Sequence, residues 1–293
     1  MAAAPSPGSR VVNALSIDVE DWFQVGAFEH VIDRADWPRL EHRFVANTER
    51  ALALFDRCGV NATFFTLGWV AERAGPLMRR IVEAGHELAS HGYDHARVFK
   101  LSREQFRDDL RKTRAILEDA GGQAVTGYRA PSFSIDQRTP WAHAELAEAG
   151  YAYSSSVAPI AHDHYGIPGA PRFAWEPVAG SPLVELPPST MSLLGRRMLL
   201  GGGFFRMLPY RFSIAGVREA NARGEPAVTY FHPWELDPEQ PRVAGAPLKS
   251  KLRHYTLLSA MEGKLERLCR DAAWDRTDRV VAARSARPLA QAA

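Results

Sequence analysis

The stretch Gly85-His86-Glu87-Leu88-Ala89-Ser90-His91-Gly92-Tyr93-Asp94-His95 combines a helix end, a short strand and, after that strand, two histidines. Gly85 closes a helix-forming run, and the strand pattern at 86–90 follows it directly. His91 and His95 stand four residues apart at the far end of that strand, a spacing that lets two imidazoles reach one metal ion. A His-x-x-x-His match is common by chance, so the pair predicts a metal site only if the chain supplies further ligands.

The same order of elements recurs along the chain. Four times a predicted helix ends in glycine and a strand follows within a few residues, at Gly59, Gly85, Gly121-Gly122 and Gly150. A further strand, at 11–17, precedes these units. Such alternation indicates βα units around a parallel sheet or barrel. In a barrel the loops after the strands converge on one face, so residues distant in sequence can share a site.

The sequence predicts one main domain. Residues 1–10 are expected to be a disordered leader, 11–275 the domain, and 276–293 a flexible tail. Within the domain, 155–208 is rich in proline, glycine and aromatic residues and predicts an irregular insertion packed over it. A helix is expected over about 252–270, in a C-terminal helical extension.

Composition excludes several classes of protein. The 293 residues are 46% hydrophobic, which is ample for a core, and the net charge of +2 does not suggest a general nucleic-acid binder. Two cysteines exclude a disulfide scaffold and a cysteine-based zinc site. No secretory signal and no apolar run of about 18 residues is evident, so a cytoplasmic protein without a membrane span is expected. A homo-oligomer is compatible with the sequence.

Two carboxylates end the first strand. Asp18 and Glu20 are two residues apart, so their side chains point to the same face if the strand continues through them. Two carboxylates on one face repel one another unless a cation compensates their charge. His91 and His95 would supply that cation by binding a metal, with Glu20, Asp18 or both as further ligands. Two imidazoles and one carboxylate leave open positions for water and substrate, as in catalytic sites. The second carboxylate could then act as a base on metal-bound water.

Other strands end in residues that could act with these. Arg129, before a proline, could hold a carboxylate in its ionised form. His232, after the last clear strand at 227–231, could be a general acid for a leaving group. Candidates to line a substrate groove, each also plausible as packing, are Trp22, Tyr93, Pro131, Phe133 and Trp234.

Four ordered motifs carry a resemblance to a known family. They are Asp18-Val-Glu20, Ser90-His91-Gly-Tyr-Asp-His95, Arg129-Ala-Pro131 and Phe231-His232-Pro233. Over about residues 11–235 the chain resembles the NodB-type polysaccharide deacetylases of carbohydrate esterase family 4. The resemblance implies an α/β fold, a distorted (β/α) barrel of the NodB-homology type. It also implies a divalent metal ion, zinc, and a polysaccharide or oligosaccharide substrate that loses N-acetyl groups.

The resemblance also implies roles for individual residues. Asp18 would be the catalytic base, Arg129 would orient it, and His232 would protonate the leaving amine. The implied metal ligands are Glu20, His91 and His95. Two features depart from the family pattern: a glutamate replaces the usual aspartate ligand, which leaves the Asp18 and Glu20 roles open, and Ser154 stands where an aspartate is expected.

Two further stretches, Tyr165-Gly-Ile-Pro168 and His232-Pro-Trp-Glu235, resemble the subgroup associated with exopolysaccharide and exosortase (PEP-CTERM) loci. That subgroup's extra C-terminal region would correspond to about 236–275. Within the same fold, an allantoinase-like hydrolase of a cyclic amide is an alternative. An inactive polysaccharide-binding protein is another. A 2-His-1-carboxylate iron oxygenase is disfavoured, because its fold is all-β and its carboxylate lies close to the first histidine.

Overall fold

The computed structural model describes residues 11–161, 165–193, 195–285 and 290–291, so the predicted leader at 1–10 lies outside the described residues. The strands are β1 (Val12–Val19), β2 (Thr63–Thr66), β3 (Glu87–Ser90), β4 (Gly127–Tyr128), β5 (Tyr153–Ser154), β6 (Trp175–Glu176), β7 (Val184–Glu185), β8 (Thr190–Leu193), β9 (Arg196–Leu199), β10 (Val228–Phe231), β11 (Ala273–Asp275) and β12 (Ala290–Gln291). The helices are α1 (Phe44–Cys58), α2 (Gly68–Ala71), α3 (Gly75–Glu83), α4 (Arg103–Gly121), α5 (Ala142–Glu148), α6 (Gly202–Met207), α7 (Tyr210–Ala222), α8 (Leu248–Tyr255), α9 (Met261–Asp271) and α10 (Thr277–Ser285).

Strand β1 organises the main sheet. Every residue of β1 after Val12 is buried, as expected for a parallel strand covered on both faces. It pairs in parallel with β10, β2 and β11. The strand order is β10-β1-β2-β3-β4-β5-β7-β6-β12, and of these pairs only β6–β7 is antiparallel. The predicted α/β fold around a barrel-like parallel sheet is confirmed.

Helix α4 begins where its sequence predicts. The Ser102 hydroxyl accepts a hydrogen bond from the Gln105 backbone N–H at 3.1 Å, and the Gln105 side chain accepts one from the Ser102 N–H at 2.8 Å. These two bonds satisfy N–H groups that have no partner inside the helix. The buried face of α4 carries the residues at three- and four-residue spacing, Phe106, Leu110, Thr113 and Leu117.

The C-terminal extension differs from the prediction. The single helix expected over 252–270 is two helices, α8 and α9, because Leu257 adopts a left-handed conformation (φ 57°) that a continuous right-handed helix does not allow. The insertion at 155–208 is also more regular than expected. It contributes β6 and β7 to the main sheet. It also forms a separate two-stranded antiparallel sheet, β8–β9.

The predicted flexible tail at 276–293 is wrong for its first part. Residues 277–285 form α10, whose first residue, Thr277, is fully buried and donates its backbone N–H to the Thr63 hydroxyl at 2.7 Å. Val280 and Val281 are buried in an apolar cluster beneath the sheet. The tail is therefore anchored by contacts with β2, which local sequence patterns do not reveal.

Replacing Val280 by aspartate tests this anchoring. A charge at this buried position should lower the free energy of unfolding by about 3 kcal/mol or more. The same change at Ala283, which is exposed on the same helix, should alter it by less than about 0.5 kcal/mol. Urea denaturation of both variants measures the difference, and equal stability would contradict the packing of α10.

Candidate active site

The predicted site residues lie at the carboxyl ends of four parallel strands. They are Asp18 on β1 and Glu20 directly after it, His91 and His95 after β3, Arg129 after β4, and His232 after β10. Because these strands run in the same direction, their ends meet at one edge of the sheet. The structure brings all six residues together, five of them buried and His232 with 19% of its side chain exposed, linked by the contacts described next.

Glu20, His91 and His95 form a candidate metal centre. Each offers one ligand atom, and the three atoms lie within 4.8 Å of one another. Glu20 Oε2 lies 3.0 Å from His95 Nε2, yet among the described residues it receives no hydrogen bond. A buried carboxylate oxygen without a donor is costly unless a cation satisfies it. The donor set therefore fits a divalent metal ion.

His91 is prepared to act as a ligand. Its Nδ1 lies 2.8 Å from the backbone oxygen of Arg129. A carbonyl oxygen only accepts, so Nδ1 carries the hydrogen and Nε2 keeps its lone pair. Burial lowers the pKa of His91 to about 4, so the ring is neutral at pH 7, as a metal ligand must be.

Glu20 is held in its charged form. Burial alone would raise its pKa, but the neighbouring His95, His232 and His91 outweigh burial and lower it to about 2. The indole N–H of Trp234 donates to Glu20 Oε1 at 3.2 Å. Oε1 of Glu20 therefore has a hydrogen-bond donor, whereas Oε2 faces the histidines.

Asp18 is paired with Arg129. Arg129 Nη1 donates to Asp18 Oδ1 at 2.6 Å and to the Ser16 hydroxyl at 2.8 Å. Nε and Nη2 donate to the carbonyl and hydroxyl oxygens of Ser155 at 3.2 and 2.9 Å. The pair is buried, and a buried charge pair persists only when its remaining donors are also satisfied, as they are here.

His232 lies close to both Glu20 and Glu235. Its Nε2 is 3.6 Å from Glu20 Oε1, and its Nδ1 is 3.0 Å from Glu235 Oε2. Burial alone would lower the pKa of His232. The hydrogen bond to Glu235 and the charges of Glu20, Glu235 and Asp18 raise it to about 9. The ring is therefore protonated at neutral pH and can give up a proton.

Two side chains next to His232, Glu235 and Arg206, are not among the predicted site residues. Glu235 is fully buried and also lies 3.2 Å from Nε of Arg206, whose side chain is 1% exposed. The spacing of three residues between His232 and Glu235 is a signal that could have identified the glutamate. Arg206 lies in the insertion, and no sequence motif marks it.

Ser154 stands where the family pattern has an aspartate, and the structure shows what this serine contacts. Ser154 Oγ is hydrogen-bonded to Ser156 Oγ at 2.8 Å. The carboxylate next to this segment is that of Glu185, on the neighbouring strand β7. It accepts hydrogen bonds from the backbone N–H groups of Ser156 at 2.7 Å and Val157 at 2.8 Å. Glu185 thereby holds the segment that positions Ser155, and through it Arg129.

The predicted groove residues have different surroundings. Trp234 touches the cluster, since it donates to Glu20 and stacks on His232 with ring centroids 5.1 Å apart. Phe133 packs on Tyr230 at 4.8 Å. Both side chains are buried, so their substrate contacts stay predictions.

The contacts of the other three favour packing. Trp22 is buried and donates its indole N–H to the Glu41 carbonyl at 3.0 Å. The Tyr93 hydroxyl donates to Glu72 at 2.8 Å. Pro131 is buried in the turn after Arg129.

Two family models match adjacent segments of the chain. The polysaccharide deacetylase model matches residues 36–154, and a model described as a domain of unknown function (DUF3473) matches 155–282. The first segment contains the histidine pair and Arg129, the second contains His232, and the two β1 carboxylates precede both. The site is therefore assembled from residues inside and outside the first match.

Two bacterial relatives match over short segments. The peptidoglycan deacetylase of Helicobacter pylori is 34% identical over 108 residues, 37% of this chain and 36% of the relative. The peptidoglycan-N-acetylglucosamine deacetylase of Bacillus cereus is 32% identical over 108 residues, 36% of this chain and 38% of the relative. In both cases the similarity spans little more than a third of the relative's length.

Solved structures show the same fold. A crystal structure from Mycobacterium smegmatis, of a protein thought to be a polysaccharide deacetylase, covers 99% of this chain and 96% of its own, with a TM-score of 0.65 and 22% identity. A CE4 family pseudoenzyme from Bacillus anthracis covers 93% of this chain and 66% of its own, with a TM-score of 0.50 and 15% identity. At these identities the likeness concerns the fold alone.

Metal binding tests the cluster independently of any reaction. The protein equilibrated with zinc should retain about one ion per chain, and His91→Ala should lose most of it because one of three ligands is removed. His30→Ala, at a side chain that is 86% exposed, is the matched control. Metal analysis after dialysis, with calorimetric titration, gives the stoichiometry and affinity. Equal zinc content in both variants would rule out this site.

Proposed function

We propose that the protein is a metal-dependent hydrolase that removes N-acetyl groups from sugars of a polysaccharide or its precursor, and the match of the polysaccharide deacetylase model to residues 36–154 supports this. The observation that carries the proposal is the buried cluster at the sheet edge. It combines three residues that could hold a metal ion with a carboxylate bonded to Arg129 and a histidine, His232, whose pKa is raised to about 9. Metal-assisted amide hydrolysis uses a Lewis acid, a base for the attacking water and an acid for the leaving nitrogen.

The proposed metal is zinc, held by Glu20, His91 and His95. When bound, it would polarise the acetyl carbonyl and lower the pKa of water. The neutral His91 ring and the ionised Glu20 carboxylate are the forms that such an ion requires.

Asp18 is the proposed base. Glu20 faces the histidines, whereas Asp18 faces Arg129, and this division of contacts supports Glu20 as ligand and Asp18 as proton acceptor. In the reaction Asp18 takes a proton from the attacking water while the hydroxide oxygen adds to the acetyl carbon. Arg129 is a positioning residue that keeps the carboxylate in place.

His232 is the proposed acid. As the carbon–nitrogen bond breaks, His232 donates a proton to the departing nitrogen, and the products are acetate and a free amine. Glu235 accepts the Nδ1 hydrogen, which leaves Nε2 as the proton donor on the side of Glu20. Glu235 acts through His232 and is a positioning residue.

We further propose an exopolysaccharide or cell-wall substrate and membership of the subgroup associated with exosortase loci. The resemblance of Tyr165-Gly-Ile-Pro168 and His232-Pro-Trp-Glu235 to that subgroup supports this. A cytoplasmic location and a homo-oligomer stay predictions from the sequence.

Acetate release tests the proposal. With N-acetylglucosamine oligosaccharides we expect release that a chelator abolishes and added zinc restores. Allantoin is assayed in parallel. Oligosaccharide binding without acetate, even with zinc, would identify an inactive binding protein, and hydrolysis of allantoin instead would identify a cyclic amide hydrolase.

Removing the base or the acid should lower turnover while the fold persists. Asp18→Asn and His232→Ala should each reduce kcat by about 10²–10⁴-fold, the usual contribution of a general base or acid. Asp36→Asn and His30→Ala, at exposed positions, are the controls. Circular dichroism checks folding, and near-normal turnover of either site variant would contradict its role.

Glu235→Gln should have an intermediate effect. The substitution keeps the shape but removes the charge that holds His232, so kcat should fall by about 10–100-fold while KM changes little. Steady-state kinetics beside His232→Ala gives the comparison. A variant as active as wild type would show that Glu235 only packs against Arg206.

A further inference from the structure

The surface formed by residues 242–257, called here the α8 surface, exposes a cluster of leucines. Seven large apolar side chains in the described ranges are more than a third exposed, and three belong to it, Leu248 (71%), Leu252 (58%) and Leu257 (47%). Leu248 and Leu252 are four residues apart on α8 and share a face. A single exposed leucine is ordinary, but three within ten residues indicate a contact surface.

The backbone at Leu257 gives independent evidence. Its φ of 57° and ψ of 28° lie in the left-handed region, which glycine or asparagine adopts at lower cost than leucine. Its side chain is half exposed, so it gains little from the core. A leucine in this unfavourable conformation at the surface points to an apolar partner outside the chain.

The charge of the α8 surface is of one sign. Between Gln240 and Met261 the sequence has no acidic residue and four basic ones, Arg242, Lys249, Lys251 and Arg253. Arg242 and Lys251 line an open groove of about 450 Å³ together with Leu252 and Tyr255. Apolar and cationic side chains therefore alternate along one short segment.

We propose that the α8 surface docks on an anionic lipid bilayer, with the leucines among the acyl chains and the basic residues against phosphate head groups. Amphipathic helices that lie in the membrane interface combine these two features. A nucleic acid would pair with the basic side chains but would leave the leucines without an apolar partner. A second copy of the chain, related by twofold symmetry, would set like charges against each other. Among the helices of the described ranges, none combines the length and apolar content of a membrane span.

The α8 surface is connected to the candidate active site. His254, on the buried side of α8, stacks on Trp234 with ring centroids 4.1 Å apart, and Trp234 donates to Glu20. Docking through α8 would hold the metal centre close to the lipid surface, where a membrane-attached substrate is concentrated. Lipid binding itself needs no turnover, so it can be tested whether or not the proposed reaction is correct.

Vesicle cosedimentation tests the proposal with the full chain. We expect at least about tenfold more binding to phosphatidylcholine vesicles containing about one third phosphatidylglycerol than to phosphatidylcholine alone. Added salt should weaken the binding, because the head-group attraction is screened. Failure to bind the anionic vesicles at low salt would overturn the proposal.

Three variants separate lipid contact from misfolding. Leu257→Gly relieves the backbone strain, so it should unfold at the same or a higher urea concentration yet bind vesicles several-fold more weakly. Leu248→Ser with Leu252→Ser should reduce binding about tenfold or more. Val45→Ser, at an exposed valine on α1, is the control and should bind like wild type.

Two outcomes would contradict the lipid assignment. Unchanged vesicle binding in Leu257→Gly and in the double serine variant would show that the leucines are not inserted. Sedimentation velocity completes the test. Self-association of wild type that the double variant abolishes would assign the α8 surface to a second copy.

Discussion

The buried pair of Arg129 and Asp18 is the interaction on which the site depends. Through its side chain Arg129 joins β1 to the segment after β5, at Ser16, Asp18 and Ser155. Through its backbone it joins β3, since its carbonyl accepts the His91 ring hydrogen and its N–H donates to the Ser90 carbonyl. Removing one partner of such a pair typically costs about 3–5 kcal/mol, because the other charge stays buried. One residue thus sets the positions of the proposed base and of a metal ligand.

The same burial has opposite results at two histidines. His91 is buried and His232 is mostly buried, with 19% of its side chain exposed, and burial disfavours a charged ring in both. His91 donates to a neutral carbonyl and stays neutral. His232 donates to the carboxylate of Glu235 and becomes a cation. The partner of Nδ1 decides whether the ring is suited to bind a metal or to release a proton.

Local patterns predicted the parts of the structure that depend on local physics. The glycine-ended helices, the buried β1 strand and the histidine pair after β3 all follow from spacing and apolar content. Contacts between distant segments were not predictable. Thr277 meets Thr63 across 214 positions, and Arg206 meets Glu235 from within the insertion. Trp22, predicted either to line the groove or to pack, is buried and donates its indole N–H to the Glu41 carbonyl, a contact that no local pattern indicates.

The boundary between the two matched segments falls inside the main sheet. It lies just after β5, whose next neighbour β7 belongs to the second segment, and β1 pairs with β10 from that segment as well. A chain ending at residue 154 would leave β1 and β5 with unpaired edges, which promote aggregation. It would also lack the proposed acid. The two segments are therefore not independent modules: the strands of the second complete the sheet of the first, and the candidate site needs both.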